Sequence, residues 1–366
     1  MKILVVHASA GAGHMKAAEA VCHFLQRHST HQVSLVDALD HTSRRYKRCY
    51  RETYAFLITW IPAIWGGLFA FLNISWLQPV FRCLRRWINR INAAAFHVFL
   101  EQQSFDVIIS THFMPTEVAA RLKRQGRIAS RLITVVTDFD VHRIWLAEGV
   151  DVYAVASDWT RERMRSLGVS GDTVVATGIP VHERFVGPKD RKQIREALGL
   201  RPEAFTVLMA TGSFGIGPME AILDAFDEVQ VMVVCGHNAA LKRRLEQRRR
   251  PVVRVMGLVD NMPDLMAAAD VMVTKPGGLS ISEALVSHLP LIFFNAIPGQ
   301  ETRNVVVLRR HGIGIAARSP RRITALARQW ADDPALYAKA RQQTEVLARP
   351  MAARDVARLV ERGNDR

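Results

Sequence analysis

Thr274-Lys275-Pro276-Gly277-Gly278-Leu279-Ser280-Ile281-Ser282-Glu283 is the stretch that decides the fold. The apolar run 271–274 that opens it has the length and β-branched content of a buried strand, two glycines then supply a tight turn, and the residues after them begin a helix with an early carboxylate. Strand, glycine turn and helix in that order form the repeating unit of a parallel sheet wrapped by helices. Such a turn presents unbonded backbone amides and the positive end of a helix dipole, which together suit a diphosphate. Gly277, Gly278 and Ser282 are therefore candidate binding residues, and Glu283, about a turn and a half into the helix, is placed to accept hydrogen bonds from ribose hydroxyls. The same carboxylate also reads simply as favourable charge near a helix start.

The plan repeats in both directions. Downstream, strand 291–295 runs into Asn295-Ala296-Ile297-Pro298-Gly299-Gln300-Glu301 and a helix over 300–310. The adjacent amide and carboxylate of Gln300 and Glu301 suit the vicinal hydroxyls of a sugar, and equally a capped helix start. Upstream come strand 206–210, a glycine loop 212–217 containing Ser213, a helix to 226, strand 231–235, a helix to 247 and strand 252–256. The first half has the same grammar: strand 3–7, the loop Ser9-Ala10-Gly11-Ala12-Gly13-His14, a helix over 14–27, then strands at 33–37, 107–110, 132–137, 152–156 and 174–177. A polar, charged stretch over 178–198 reads as the linker. The expectation is an α/β protein of two doubly wound, Rossmann-like domains, 1–185 and 186–366, facing across a cleft lined by the glycine loops at the carboxyl ends of their strands.

In the first loop, Gly11 and Gly13 let backbone amides approach a ligand closely. His14 sits at the N-terminus of its helix, where the dipole disfavours imidazolium and keeps a neutral base available; the alternative is a histidine that caps its own helix. Asp138, His142 and Trp145 follow strand 132–137 closely enough to border an acceptor site, although Asp138 also suits a turn cap. No paired-aspartate motif follows a strand, so neither a metal nor another cofactor is expected.

The formal charge of +15 favours an anionic partner. Arg44, Arg45, Lys47, Arg48 and Arg51 lie on one side of an uncharged stretch, 53–81, and Arg82, Arg85, Arg86 and Arg90 on the other. Trp60, Trp65, Trp76 and Trp87 fall in or beside it. Basic flanks around an aromatic, apolar middle suit an anionic bilayer, and no nucleic-acid reader motif is present. Residues 56–77 are long enough to span a membrane, but Pro62, Gly66-Gly67, Asn73 and Ser75 interrupt them, so a peripheral or monotopic attachment is expected. In the segment that follows, Arg82, Arg86 and Arg90 fall on one side of a helix and Phe81, Leu84, Ile88 and Ile91 on another. Four scattered cysteines point to reduced thiols, and residues 1–6 read as a first strand rather than a secretory signal.

Taken in order, the 11–14 loop, Ser110-Thr111-His112-Phe113, Val136-Thr137-Asp138-Phe139 with His142 and Trp145, Thr177-Gly178-Ile179-Pro180-Val181, Gly212-Ser213-Phe214-Gly215, the 274–283 run and Pro298-Gly299-Gln300-Glu301 resemble the monogalactosyldiacylglycerol synthase and processive diacylglycerol glucosyltransferase family. The chain departs from that pattern in the first loop, where alanines stand at positions often occupied by glycine. The resemblance implies the GT-B fold and an inverting transferase on the cytoplasmic side of the membrane. It implies an acceptor-binding N-terminal half that takes diacylglycerol and a C-terminal half that takes a UDP-sugar. His14 and Asp138 would be catalytic; Gly11, Gly13, His112, His142, Trp145, Ser213, Gln300 and Glu301 would contact substrates. A polyprenyl-diphosphate lipid is the alternative acceptor.

Overall fold

The computed structural model describes residues 1–9, 11–213, 215, 217–227 and 229–361. Ala10, Phe214 and Ile216 of the two expected glycine loops lie outside the described residues. The chain forms two compact units. One comprises Met1–Glu183, Pro298–Arg303 and the chain from Arg349 on; the other comprises Arg184–Ile297 and Asn304–Ala348.

In the first unit, β1 (Lys2–His7), β2 (Gln32–Asp37), β3 (Val107–Ser110), β4 (Arg131–Val135), β5 (Val152–Val155) and β6 (Val174–Ala176) form one sheet in the order β2-β1-β3-β4-β5-β6. Every pairing is parallel. The period of two along β1 divides its side chains between two layers. Ile3 and Val5 pack with Ala18, Val21 and Leu25 of α1 (Ala12–His28), whereas Leu4 and Val6 pack with Phe96, Leu100, Val118 and Leu122 on the opposite face. A strand covered on both faces must be apolar throughout, which is why these segments are conspicuous in sequence.

The second unit repeats the architecture with β7 (Thr206–Ala210), β8 (Gln230–Val234), β9 (Val253–Met256), β10 (Val271–Thr274), β11 (Leu291–Phe293) and β12 (Ile315–Ala316), ordered β12-β11-β10-β7-β8-β9 and all parallel. The strands expected from sequence are present with ends shifted by a residue or two. Only β12, two residues long, carries too little pattern to be read.

The C-terminal helix Ala352–Glu361 departs from a single cut at 185. Its Val356, Leu359 and Val360 bury against the first sheet, and Arg131 donates to the Leu359 carbonyl at 2.6 Å. The apolar stripe of this helix is completed by the first unit, not by the residues that precede it.

Between β2 and β3 the first unit carries α2 (Arg44–Trp60), α3 (Pro62–Phe71) and α4 (Gln78–Asn92). Helices α2 and α3 meet at a 113° bend. Pro62 has no N–H to donate and pushes Ile61 out of helical geometry, to φ −135° and ψ 54°. Among the described residues no single helix is long and apolar enough to cross a membrane; α2 and α3 meet that requirement only as this bent pair. Gly66 and Gly67 do not interrupt α3. A Cβ on Gly66 would lie 2.5 Å from the Pro298 Cβ, so that glycine permits a close approach, whereas Gly67 faces open space.

Helix α4 inverts the usual amphipathic arrangement. Val80, Leu84, Trp87 and Ile91 form an exposed stripe at i, i+4, i+7 and i+11, while Arg85 turns inward and donates to Glu117 at 3.0 Å. Phe81, expected on the apolar face with Leu84 and Ile91, is instead buried against the unit. Ile64, Leu68 and Phe71 of α3, with Trp60 and Trp76, extend the exposed apolar surface. Trp65 does not join them fully: its ring packs on Tyr54 and Phe69, and its Nε1 is buried without a hydrogen-bond partner.

Candidate functional site

A doubly wound sheet opens a crevice where successive connections leave in opposite directions, beyond the carboxyl ends of the strands. In the first unit that switch point lies between β1 and β3. The chain leaving β1 passes through Gly11 into α1, whose first turn carries Gly13 and His14, and the loop leaving β3 carries Thr111 and His112. Gly11 is the N-cap of α1, in extended geometry with no side-chain cap, and a Cβ there would meet nothing within 4 Å.

His14 stands at the centre of this arrangement. Its Nδ1 lies 2.8 Å from the Thr111 carbonyl oxygen and 2.9 Å from the Thr137 hydroxyl. A carbonyl can only accept, so Nδ1 carries the proton and Nε2 is left with the lone pair. The surrounding protein atoms lower the pKa of the ring to about 4, burial being the main cause, while the residue still keeps part of its surface exposed. The imidazole is thus neutral at pH 7 and fixed in the tautomer a base requires.

The His112 ring lies 4.6 Å from that of His14, and the Trp145 ring 6.0 Å. His112 caps the helix Phe113–Arg124, its Nδ1 accepting from the Met114 amide at 3.1 Å, so its proton is on Nε2. Burial holds its pKa well below the ordinary histidine value. Trp145 is a buried core residue that forms one wall of this group.

Asp138, His142, Gln300 and Glu301 lie in or near a second group. Asp138 is buried, and both of its carboxylate oxygens accept from the Gln300 amide at 3.0 Å. Asp140 accepts from Arg303 at 3.1 Å, so the segment 298–303, which opens the helix Gln300–Arg310, is fastened to the segment after β4 at two points. His142 accepts from the Ile144 amide through Nδ1 at 3.0 Å and donates from Nε2 to the Phe69 carbonyl at 2.8 Å. Both ring nitrogens are thereby engaged, Nε2 in holding α3 and Nδ1 in capping the turn Arg143–Trp145. Glu301 contributes to the field that raises the Tyr54 pKa, behind the larger effect of burial.

In the second unit the switch point falls between β7 and β10. The loop after β10 leads to Gly277, the N-cap of the helix Gly278–Val286, again without a side-chain cap. Glu283 lies on that helix, and Ser282 spends its hydroxyl on the Gly278 carbonyl at 3.0 Å. Beyond β7, the loop containing Ser213 is pressed against the turn after β8. The Ser213 carbonyl accepts from the His237 amide at 2.8 Å, and a Cβ on left-handed Gly236 would come within 2.3 Å of it. Gly215 has φ +57° and would clash in the same way with the Cys235 carbonyl.

Some residues with a direct bearing on these groups were not singled out from sequence. Thr111 and Thr137 set the His14 tautomer. Lys275 is a buried lysine beside the glycine turn, and Asn304, fully buried, ties that turn down by donating to the Pro276 carbonyl at 3.0 Å. A lysine directly after a strand and before Pro-Gly-Gly is a signal that sequence reading can use; the threonines carry none until their partners are known. Among the described residues no three His, Cys, Asp or Glu side chains cluster as a metal site.

Comparison with known proteins assigns both units. The family model for monogalactosyldiacylglycerol (MGDG) synthase matches residues 14–181, and that for the glycosyltransferase family 28 C-terminal domain matches residues 207–346. Similar curated proteins include the processive diacylglycerol beta-glucosyltransferases of Bacillus cereus (strain AH187), 26% identical over 96% of this chain and 91% of the relative, and of Staphylococcus carnosus (strain TM300), 28% identical over 94% and 88%. Among solved structures, Acinetobacter baumannii MurG aligns over 99% of this chain and 100% of its own, with a TM-score of 0.61 at 15% identity. A UDP-N-acetylglucosamine 2-epimerase aligns over 100% and 97%, with a TM-score of 0.63 at 13% identity. These likenesses establish the GT-B fold. The first unit is thus similar to MGDG synthase and the second to the C-terminal domain of glycosyltransferase family 28, so that both halves of the chain carry glycosyltransferase domains.

Proposed function

We propose that the enzyme transfers a hexose from a UDP-sugar to the free hydroxyl of diacylglycerol, with inversion at the anomeric carbon. The observation that carries this reading is His14, neutral, locked by Thr111 and Thr137 with Nε2 unprotonated, at the switch point of the first sheet. The acceptor hydroxyl attacks the anomeric carbon, its proton passes to His14 Nε2, and the bond to the diphosphate breaks with its electron pair leaving on UDP. In the second unit, the uncapped amides at Gly277 and Gly278 serve the diphosphate and Glu283 the ribose. Asp138 orders the acceptor side through Gln300. No metal is assigned a step.

The names of the relatives support the donor and acceptor classes. The exposed apolar surface of α3 and α4 supports a peripheral or monotopic position on the cytoplasmic face of an anionic membrane. Purified enzyme incubated with UDP-glucose or UDP-galactose is expected to release UDP and form glycosyl-diacylglycerol when diacylglycerol vesicles are supplied, and to do so in the presence of EDTA. Turnover on a polyprenyl-diphosphate lipid with none on diacylglycerol would overturn the acceptor, and loss of turnover in EDTA would overturn the metal-free chemistry.

A further inference from the structure

Helix α2 carries Tyr50 and Tyr54 at i and i+4, so both rings leave the same face of the helix. Tyr50 meets the His112 ring edge-on at 6.5 Å, and His112 in turn lies 4.6 Å from His14. Tyr54 meets Trp65 edge-on at 5.4 Å, and after burial the largest influences on its phenol are the charges of Glu301 and Asp138. The pair therefore stands between the aromatic side chains of α3 and the ring beside the His14 base. Both phenols sit deep in the unit, where burial pushes their pKa values up, so they stay protonated and able to donate. Neither hydroxyl bonds to a described residue, yet neither is sealed off, and each residue keeps part of its surface open. A neutral donor with no protein acceptor, at the tip of an apolar side chain, suits an acceptor atom carried by an apolar molecule.

Diacylglycerol has such atoms beside its reacting group. Its free hydroxyl must reach His14 Nε2, whereas its two ester carbonyls, on the neighbouring carbons of the glycerol, can only accept. We propose that the Tyr50 and Tyr54 hydroxyls donate to these ester carbonyls and so turn the free hydroxyl toward His14, making the enzyme selective for diacyl over dialkyl glycerols. The assignment rests on the diacylglycerol reading above and adds to it a basis for choosing among lipids. A dialkyl glycerol of the same chain length presents only ether oxygens, which lack the outward-pointing carbonyl.

The test uses the full chain in mixed detergent micelles, with dioleoylglycerol and its diether analogue dioleylglycerol as acceptors and UDP-glucose or UDP-galactose as donor. The parent is expected to show kcat/KM at least about tenfold higher for the diester, since two neutral hydrogen bonds are lost with the ether. Y50F and Y54F keep their rings against His112 and Trp65, and each should give up part of that preference. Y50F/Y54F should bring the diester to within about twofold of the diether, with the KM for the UDP-sugar unchanged. A purely structural role would instead lower both acceptors in proportion. Because the preference is a ratio measured within one preparation, it stays readable even when a variant is partly unfolded. A parent that glycosylates diacylglycerol yet treats diester and diether alike overturns the assignment and leaves the proposed function standing. A preference that survives in the double variant, or a proportional loss on both acceptors, also overturns it. No turnover on either acceptor, with UDP released on a polyprenyl-diphosphate lipid, overturns the underlying reading and this assignment with it.

Discussion

At the scale of the residue, the proposed reaction turns on the His14 imidazole, whose tautomer is set by Thr111 and Thr137 from the segments after β3 and β4. Replacement of His14 by alanine should lower kcat by about 10² to 10⁴ while UDP affinity stays near that of the parent, because the base acts on the acceptor proton. Steady-state kinetics with calorimetry checks this; near-normal turnover would move the base elsewhere. With the folded pKa at about 4, neutral His14 persists far below the ordinary histidine range, so the acid limb of kcat/KM should lie well under pH 6.5. The same shift acts on stability. The unfolded chain takes up a proton first as pH falls, so the His14 contribution is complete above about pH 6.5 and declines toward pH 4, at roughly 1.4 kcal/mol per pH unit. Denaturant titrations of the parent should steepen in that window, and those of His14→Ala should be flatter. Gln300→Ala removes the donor shared by both oxygens of buried Asp138 and should cost about 1.5 to 3 kcal/mol. Urea midpoints within experimental scatter of the parent would show that this contact is dispensable. Gln300 and Asp138 were both legible as polar residues at strand ends, but their partnership was not, since 162 positions separate them.

At the scale of the element, α3 shows that two adjacent glycines can have unrelated reasons. Sequence reading took Gly66-Gly67 as one helix interruption, yet the helix runs through both. Gly66→Ala would drive its methyl into Pro298 and should cost about 1 to 3 kcal/mol. Gly67→Ala meets nothing and should be neutral or stabilising by up to about 1 kcal/mol through helix propensity. Paired urea curves decide the matter, and equal effects would mean that α3 is not held against the 298–303 segment. Helix α4 teaches a related lesson. Its 3.6-residue period was visible, but which stripe faces outward was not, because an arginine that turns inward to Glu117 has the same spacing as one that faces water.

At the scale of the whole molecule, the strand, glycine turn and helix grammar was plain because each parallel strand is buried on both faces and so is uninterrupted in hydrophobicity. The return of the C-terminal helix to the first unit was not, since an amphipathic stripe does not name the surface that covers it. Removing residues 349–366 should expose Val21 and Leu25 of α1 and destabilise the first unit selectively. Hydrogen exchange should show lost protection in β1, β3 and β4 with the β7 and β10 amides unchanged; protection retained in β1 would assign the helix no such role. The chain passes between units four times, after Glu183, Ile297, Arg303 and Ala348. Neither unit is therefore a module that a single recombination point can exchange. A chimera spliced once near 183, built to swap donor preference between homologues, would import a foreign 298–303 segment and a foreign final helix. It would inherit the grafted half's Gln300 counterpart facing the recipient's Asp138, and its success would depend on those junctions as much as on the nucleotide pocket it was meant to move.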